Sequence, residues 1–276
     1  MDNRRQDQSY LTGTQYKDSS NLNARINLHR DYTQAEHAWQ PWVFERLKLK
    51  AGQKVLECGC GSGKLWQENL DDIPERCHIT LSDLSEGMVS DAKANLGDNN
   101  HHFDFQPLNI ETLPFEENTF DTVIANHMLY HVPDIPKAIT EVTRVLMPNG
   151  RFVAATNGNN HLKELTEIGR ELFDDVEELD NTRLKMLETR MFDFRLQNGI
   201  EFLEEHFSQV DLHLYESNLL VTESAPLVRY VMSMIGVDQN PPEGVIEKLT
   251  TYLDNEISTK GHIFITKETG LFVAKM

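Results

Sequence analysis

Residues 54–63 read KVLECGCGSG, a short apolar run that ends in a turn containing three glycines. An apolar run that stops at glycines predicts a buried strand followed by a tight loop. Glycines there let the backbone approach a ligand closely, and a helix predicted over residues 64–70 adds N–H groups at the same end. A dinucleotide site would prefer G-x-G-x-x-G, but Lys64 holds the last position. A purely structural glycine turn would read similarly.

Strand and helix patterns alternate on the carboxyl side of this loop. Further strands are predicted over residues 78–85, 102–110, 120–129 and 151–157, and helices over 86–96 and 134–146. This alternation favours an α/β fold whose strands run parallel and are joined by right-handed crossovers. Later segments predict helices over 161–206, 224–236 and 243–257, a strand over 210–217, and a closing strand or hairpin over 262–276.

The segment before the first strand predicts two helices. Residues 21–32 have apolar positions at helical spacing. Thr33 and Glu36 fit a capping box, and Pro41 then predicts the start of a second helix through WVFERL at 42–47. Trp39 and Trp42 are predicted to be core residues.

Composition and charge exclude several classes of partner. The 276 residues include 26 Lys and Arg against 44 Asp and Glu, a net charge of −18 that would repel a nucleic-acid backbone. No apolar run approaches the roughly 20 residues of a membrane-spanning helix, and the N-terminus lacks the apolar segment of a signal peptide. The three cysteines, Cys58, Cys60 and Cys77, match neither a disulfide framework nor a zinc pattern. The sequence therefore predicts a cytoplasmic protein with reduced thiols, no metal, no nucleic-acid partner and no membrane partner.

Two acidic residues at strand ends have different predicted roles. Asp83 ends the second strand, where a carboxylate can accept hydrogen bonds from two ribose hydroxyls. The alternative role for Asp83 is a helix cap, for which Ser85 is the better candidate. Asp121 stands near the start of a strand and is predicted to be structural.

Four segments in order carry a resemblance to a known family: VLECGCGSG, LSDLSEGM, LNIETLPFEENTFDTVIANHMLYHVPD and VLMPNGRF. Together they resemble the class I S-adenosylmethionine-dependent methyltransferases, most closely the small-molecule branch with the ubiquinone and menaquinone C-methyltransferases. The resemblance covers about residues 50–158. It implies a Rossmann-like, mostly parallel seven-stranded sheet with helices on both faces, S-adenosylmethionine as cofactor and S-adenosylhomocysteine as product.

The same resemblance implies a role for each matching position. Glu57 orients the glycine loop and the methionine amino group, Asp83 binds the ribose, and Asn109 stands where the family usually has aspartate beside the adenine. The other cofactor-binding residues implied are Gly59, Cys60, Gly61, Gly63, Leu84, Met88, Ile110 and Asn126, with Tyr16 and Arg25 from the N-terminal segment. His127 and His131 are the candidate catalytic bases.

The resemblance also implies a domain plan: an N-terminal helical lid (1–50), a cofactor-binding core (51–158), a helical insertion (159–205) and the C-terminal part of the sheet (206–276) with inserted helices at 223–260. The leading hypothesis is an enzyme that moves a methyl group to an oxygen, nitrogen or carbon of a small-molecule acceptor by in-line displacement. The alternative is a cofactor-binding relative with other chemistry, such as cyclisation or transfer of a modified group. The sequence does not identify the acceptor, the attacking atom or the oligomeric state.

Overall fold

In a computed structural model that describes residues 6–15, 17, 20–98, 102–173, 193–235 and 244–276, the predicted strands form one seven-stranded sheet. Its order is β4-β3-β2-β5-β6-β10-β7. The strands are β2 (Lys54–Cys58), β3 (His78–Asp83), β4 (His102–Pro107), β5 (Phe120–Asn126), β6 (Leu146–Asn157), β7 (Gln209–Tyr215) and β10 (Thr269–Lys275). The first five run parallel, and β10 lies antiparallel between β6 and β7. The predicted mostly parallel, seven-stranded α/β sheet is confirmed.

The helices cover the sheet and extend beyond it. They are α1 (Gln8–Tyr10), α2 (Ser20–Tyr32), α3 (Trp39–Leu47), α4 (Lys64–Gln67), α5 (Glu86–Leu96), α6 (Ile135–Val145), α7 (Lys163–Phe173), α8 (Gly199–Glu204), α9 (Ser224–Ile235) and α10 (Val245–Lys260). Short turns of π-helix and 3₁₀-helix lie at Leu11–Gln15, Leu70–Asp72 and Leu129–His131. Among the described residues, no helix has the length and apolar character needed to cross a membrane.

The central strands are buried on both faces, which explains their nearly continuous apolar sequence. Val55, Leu56, Ile124 and Val153 are fully buried, although they point to opposite faces of the sheet. Helix α6 packs one apolar face on this core, and Asp134 caps it by accepting a hydrogen bond from the Lys137 N–H.

A second, antiparallel sheet forms the base of a cap. It has the order β1-β8-β9, from Thr33–Gln34, Asn218–Val221 and Ile263–Thr266. Leu28 of α2 is 1% exposed and belongs to the same hydrophobic cluster as apolar side chains of α7, α9, α10 and this sheet. The cap therefore has a core of its own, assembled from chain segments far apart in sequence.

Three local predictions need correction. Thr33 is not a helix cap, because Thr33 and Gln34 pair as a strand with Leu219 and Asn218. The following helix begins instead at Trp39, without a side-chain cap. The helix predicted over 64–70 ends at Gln67. The 262–276 segment contributes to both sheets, because β9 joins the cap and β10 joins the central sheet.

Candidate active site

A cavity of about 610 Å³ opens where the parallel strands end. Its lining includes residues that follow β2, β3, β4 and β5, together with side chains from α2, α3 and the β9–β10 turn. The crevice at the carboxyl ends of parallel strands is where open α/β sheets bind ligands. The cavity volume is in the range of small-molecule and cofactor sites.

The glycine loop after β2 has a backbone that few residues other than glycine adopt. Gly59, Gly61 and Gly63 have φ angles of 72°, 54° and 75°. A Cβ atom on Gly59 would lie 2.6 Å from Cβ and Cγ of Met128, and one on Gly63 would lie 3.3 Å from Cβ of Ala92. The loop is tied to the next strand by a hydrogen bond from the Cys60 N–H to the Ser82 carbonyl oxygen (2.9 Å). The glycines are thus required both by dihedral angle and by close packing.

Asp83 connects the end of β3 to this loop. Its Oδ2 accepts a hydrogen bond from the Gly61 N–H (3.0 Å), and its Oδ1 accepts one from the Ser85 N–H (2.9 Å). Ser85 is the N-cap of α5, since its Oγ accepts from the Met88 N–H, as predicted. Burial raises the pKa of the Asp83 carboxyl, and these backbone hydrogen bonds oppose the rise. Each oxygen keeps a lone pair for a ligand hydroxyl.

Glu57 is a buried carboxyl beneath the loop. The residue is 2% exposed, and its Oε2 accepts a hydrogen bond of 2.6 Å from Trp66 Nε1. Burial raises the pKa of Glu57 to about 8, although the Trp66 hydrogen bond opposes the rise. Protein without ligand therefore holds Glu57 mostly protonated at neutral pH, and a cationic group beside it would favour the carboxylate.

We expect Glu57 to make the protein less stable as pH rises. A glutamate whose folded pKa of about 8 exceeds its ordinary value of 4.5 stabilises the fold below pH 4.5 and loses that contribution as pH rises through 8. Glu57→Gln keeps an acceptor for Trp66 and does not titrate. Between these pH values, the unfolding free energy of wild type relative to Glu57→Gln should fall by up to about 1.4 kcal/mol per pH unit. Urea unfolding from pH 5 to pH 8 measures this, and a constant difference would contradict a raised pKa.

The loop after β4 is held by a local turn that also contacts the N-terminal segment. Asn109 Oδ1 accepts from the Glu111 N–H (2.9 Å), a turn typical of asparagine. Glu111 is buried, and its Oε2 accepts from Gln8 Nε2 (3.2 Å). The N-terminal segment is thereby connected to the wall that carries Asn109 and Ile110.

The end of β5 contributes a buried acceptor and an unusual backbone. The Oδ1 atom of Asn126 is buried, with no hydrogen-bond partner among the residues that the structure describes. A buried acceptor without a partner is costly, which favours a ligand donor at this point. The next residue, His127, has a φ of 58°, a conformation that is rare outside glycine and concentrates at functional sites.

Imidazole and aromatic rings line the other end of the cavity. The His127 ring lies 5.0 Å from the Trp39 ring, and its Nε2 is 3.4 Å from Thr269 Oγ1. Burial lowers the pKa of His127 to about 3, with a smaller effect from Lys267. His161 Nδ1 accepts from the Glu268 N–H (3.2 Å), and burial also lowers its pKa well below the usual value. Both imidazoles are therefore uncharged at neutral pH.

Most of the predicted site residues meet at this cavity. Its lining includes the predicted residues Glu57, Gly59, Cys60, Asp83, Leu84, Asn109, Ile110, Asn126, His127 and His131. Gly61, Gly63 and Met88 are not in the lining; Met88 is 1% exposed and packs in the interior. Tyr16 lies outside the described residues, as does the side chain of Arg25, whose backbone belongs to α2.

Several lining residues were not identified from the sequence. Trp42 is a core residue as predicted, but Trp39 lines the cavity. Burial raises the pKa of the Cys58 thiol to about 12, which makes this thiol unreactive at neutral pH. The lining residues outside the predicted set include His161, Tyr215, Tyr230, Lys267 and Thr269.

Comparisons with known proteins agree with this geometry. Residues 56–154 match a family model described as a methyltransferase domain. The ubiquinone/menaquinone biosynthesis C-methyltransferase UbiE of Bartonella henselae is 31% identical over 147 residues, which are 52% of this chain and 54% of that protein. The chain spans about half the length of the curated UbiE relatives that it matches.

Solved structures share the fold over most of the chain. A putative methyltransferase from Bacillus halodurans superposes with a TM-score of 0.59 at 16% identity, over 86% of this chain and 97% of that one. A Haemonchus contortus phosphoethanolamine N-methyltransferase 2, solved with S-adenosyl-L-methionine, gives 0.58 at 16% identity, over 97% of this chain and 59% of that one. The [4+2]-cyclase SpnF superposes with a TM-score of 0.55 at 17% identity, over 88% of this chain and 83% of that one. At these identities the likeness concerns the fold alone.

Proposed function

We propose that the protein is an S-adenosylmethionine-dependent enzyme that methylates a small molecule, because residues 56–154 match a methyltransferase domain and a UbiE relative matches over about half of the chain. One observation carries the proposal. The Asp83 carboxylate at the end of β3 binds the backbone of a glycine loop at the end of β2, beside a cavity large enough for a cofactor and an acceptor.

The residues present suit S-adenosylmethionine. Asp83 would take the ribose hydroxyls, and Leu84, Asn109 and Ile110 would hold the adenine. The Glu57 carboxyl and the unpartnered Asn126 Oδ1 suit a group with a positive charge and N–H donors, such as the methionine ammonium. We assign Cys60 a backbone role, since burial raises the pKa of its thiol well above the usual value.

The chemistry divides between cofactor and protein. S-adenosylmethionine supplies a methyl group on a positively charged sulfur, which a nucleophilic oxygen, nitrogen or carbon can displace in line. The protein contributes orientation and exclusion of water, which together lower the barrier by several kcal/mol. In this proposal the unprotonated ring of His127 accepts a hydrogen bond from the acceptor, since a pKa of about 3 makes it a poor proton acceptor, and His131, which also lines the cavity, is the second candidate for a base.

The N-terminal residues 1–50 act as a lid in this proposal. Gln8, Leu11, Ile26 and His29 line the cavity, and Leu11 is 6% exposed. The packing of Leu28 in the cap core connects this lid to the helical insertion at 159–205 and to the C-terminal part, 206–276. The core at 51–158 would hold the cofactor, and the cap would enclose the acceptor.

The charge and the cysteines support the remaining assignments. A net charge of −18 favours a small-molecule acceptor over a nucleic acid. The three cysteines are all free and buried, which suits a reducing compartment such as the cytoplasm.

Calorimetry with S-adenosylhomocysteine tests the proposed function. We expect a dissociation constant in the micromolar range or tighter, about −8 kcal/mol, and no binding of NAD as a control dinucleotide. Absence of heat and of any thermal shift with S-adenosylhomocysteine would refute the cofactor assignment. Incubation with methyl-labelled S-adenosylmethionine and a panel of small acceptors, analysed by mass spectrometry, then separates methyl transfer from the cyclase-like alternative.

A further inference from the structure

Lys267 stands at the acceptor end of the cavity. It lies in the turn between β9 and β10, and its Nζ donates a hydrogen bond to Thr33 Oγ1 (3.1 Å). The same Nζ lies 5.2 Å from the centre of the Tyr215 ring. Three strand spacings separate β10 from β2 in the sheet, roughly 14 Å, so the lysine is remote from the glycine loop.

The charge of this lysine has no acidic partner. Within the described ranges, no carboxylate lies in ion-pair distance of Lys267 Nζ, and Thr33 uses one of its three donor hydrogens. The neighbouring carboxylate, Glu268, accepts hydrogen bonds from the Asn160 N–H (2.6 Å) and Gln197 Nε2 (3.0 Å). Burial lowers the pKa of Lys267 to about 8, so in most molecules its side chain is a desolvated ammonium at pH 7. A buried charge of this kind is expensive unless a ligand pairs with it.

Three titratable groups near Lys267 are neutral at pH 7. Burial lowers the pKa of His127 and of His161, and it raises the pKa of Tyr215. The carboxyl groups in the lining lie in β2 and β3 or in the segments after β2 and β4, and they are Glu57, Glu68, Asp83 and Glu111. The carboxyl groups of the lining are thus grouped toward the proposed cofactor, and Lys267 stands at the end that remains for the acceptor.

We propose that Lys267 is the anion-binding group of the acceptor site, and that the acceptor is a small molecule with an anionic oxygen, as in a carboxylate, phenolate or enolate. The inference rests on the proposed function, which assigns the other end of the cavity to the cofactor. Two free N–H donors of the ammonium would bind the oxyanion, and the rings of Trp39 and Tyr215, which pack edge to face on each other, would offer an aromatic wall to an unsaturated or aromatic body. Lys267 would therefore select the acceptor by charge.

The test uses benzoate and its neutral isostere benzamide as probes, with the full chain saturated with S-adenosylhomocysteine. We expect the wild type to bind benzoate at least fivefold more tightly than benzamide by ligand-observed NMR, and Lys267→Gln to bind both equally. Thr33→Val removes the hydrogen bond of Lys267 but not its charge, and it should keep the preference. Lys275→Gln, at the exposed far end of β10, is the matched lysine control and should behave as wild type.

The pH dependence gives a second readout. Benzoate stays anionic at high pH, so its affinity should fall about tenfold per pH unit above pH 8 as Lys267 loses its proton. Lys267→Arg keeps its charge and should retain benzoate binding at pH 9.5. A profile without this fall in the wild type would contradict the proposal.

Three outcomes would overturn the inference. They are the absence of a benzoate preference in the wild type, the same preference in folded Lys267→Gln, and a tenfold loss of S-adenosylhomocysteine affinity in Lys267→Gln. The last would assign Lys267 to the carboxylate of the cofactor and would leave the proposed function intact. Failure of the wild type to bind S-adenosylhomocysteine at all would instead refute the proposed function. Benzoate binding measured in the absence of S-adenosylhomocysteine would still test the role of Lys267.

Discussion

Gly59→Ala should lower the affinity for S-adenosylhomocysteine at least tenfold, about 1.4 kcal/mol or more, and should also destabilise the fold. Two effects combine at this position. A Cβ atom at a φ of 72° costs about 1–2 kcal/mol. The same atom would lie 2.6 Å from Cβ and Cγ of Met128, and a side chain cannot easily move its first atoms away. The loop must therefore shift, which costs roughly another 1–3 kcal/mol and displaces the backbone that faces the cavity.

Gly52→Ala is the matched control for this prediction. Gly52 has a φ of 79°, but a Cβ there would meet nothing within 4 Å. Both variants therefore carry the dihedral cost, and only Gly59→Ala carries the clash. Urea unfolding should give a clearly larger loss for Gly59→Ala, and calorimetry should give wild-type affinity for Gly52→Ala. Equal losses of stability together with unchanged ligand affinity would mean that the Met128 contact does not hold the loop in place.

The sheet and the cofactor half of the cavity were predictable because local signals specify them. Apolar runs that end in glycine or in a polar residue identify buried parallel strands, and their carboxyl ends necessarily meet at one edge. Gly59, Asp83 and Asn109 each follow such a strand, so their convergence follows from topology alone.

The half of the cavity around Lys267 was not predictable in the same way. Thr33 is placed by pairing with Leu219, and Lys267 by the turn that joins a strand of the cap to a strand of the central sheet. These contacts join distant parts of the chain, and nothing in the sequence near either residue encodes them. The Thr33–Glu36 pattern even favoured a helix cap, because a capping box is recognised from four consecutive residues. The two-residue strand Thr33–Gln34 forms only by pairing with a distant strand, which local sequence does not reveal.

The aromatic residues of α3 show how the two kinds of information combine. The helix was predicted from Pro41 after a capping-box pattern, and Trp42 is indeed buried on the core side. Trp39 lies one turn earlier, and its ring stacks on Trp42 and approaches His127. A sequence pattern identifies the face of the helix, but only the tertiary arrangement reveals that this face ends at a cavity.

Asp83→Ala should weaken S-adenosylhomocysteine binding by about 1.5–3 kcal/mol, or roughly 10- to 150-fold, because a charged acceptor is lost. The carboxylate also accepts from the Gly61 and Ser85 N–H groups, so the variant should lose about 1–3 kcal/mol of unfolding free energy as well. Asp83→Asn should not restore stability or affinity. An asparagine side chain has one acceptor oxygen, whereas the Gly61 and Ser85 N–H groups bind two different oxygens of the carboxylate.

Asp121→Ala separates these two effects. Asp121 Oδ2 accepts a hydrogen bond of 2.8 Å from the Lys54 N–H, at the opposite edge of the same sheet. Asp121→Ala should lower the free energy of unfolding by the contribution of one hydrogen bond to a charged group, and it should leave ligand affinity unchanged. If Asp83→Ala likewise lost stability but kept the affinity of wild type, Asp83 would be only a clamp between β3 and the glycine loop. Loss of both stability and affinity at Asp83, against loss of stability alone at Asp121, would instead mean that one carboxylate both shapes the loop and binds the ligand, because Asp83 accepts from the loop backbone and also lines the cavity.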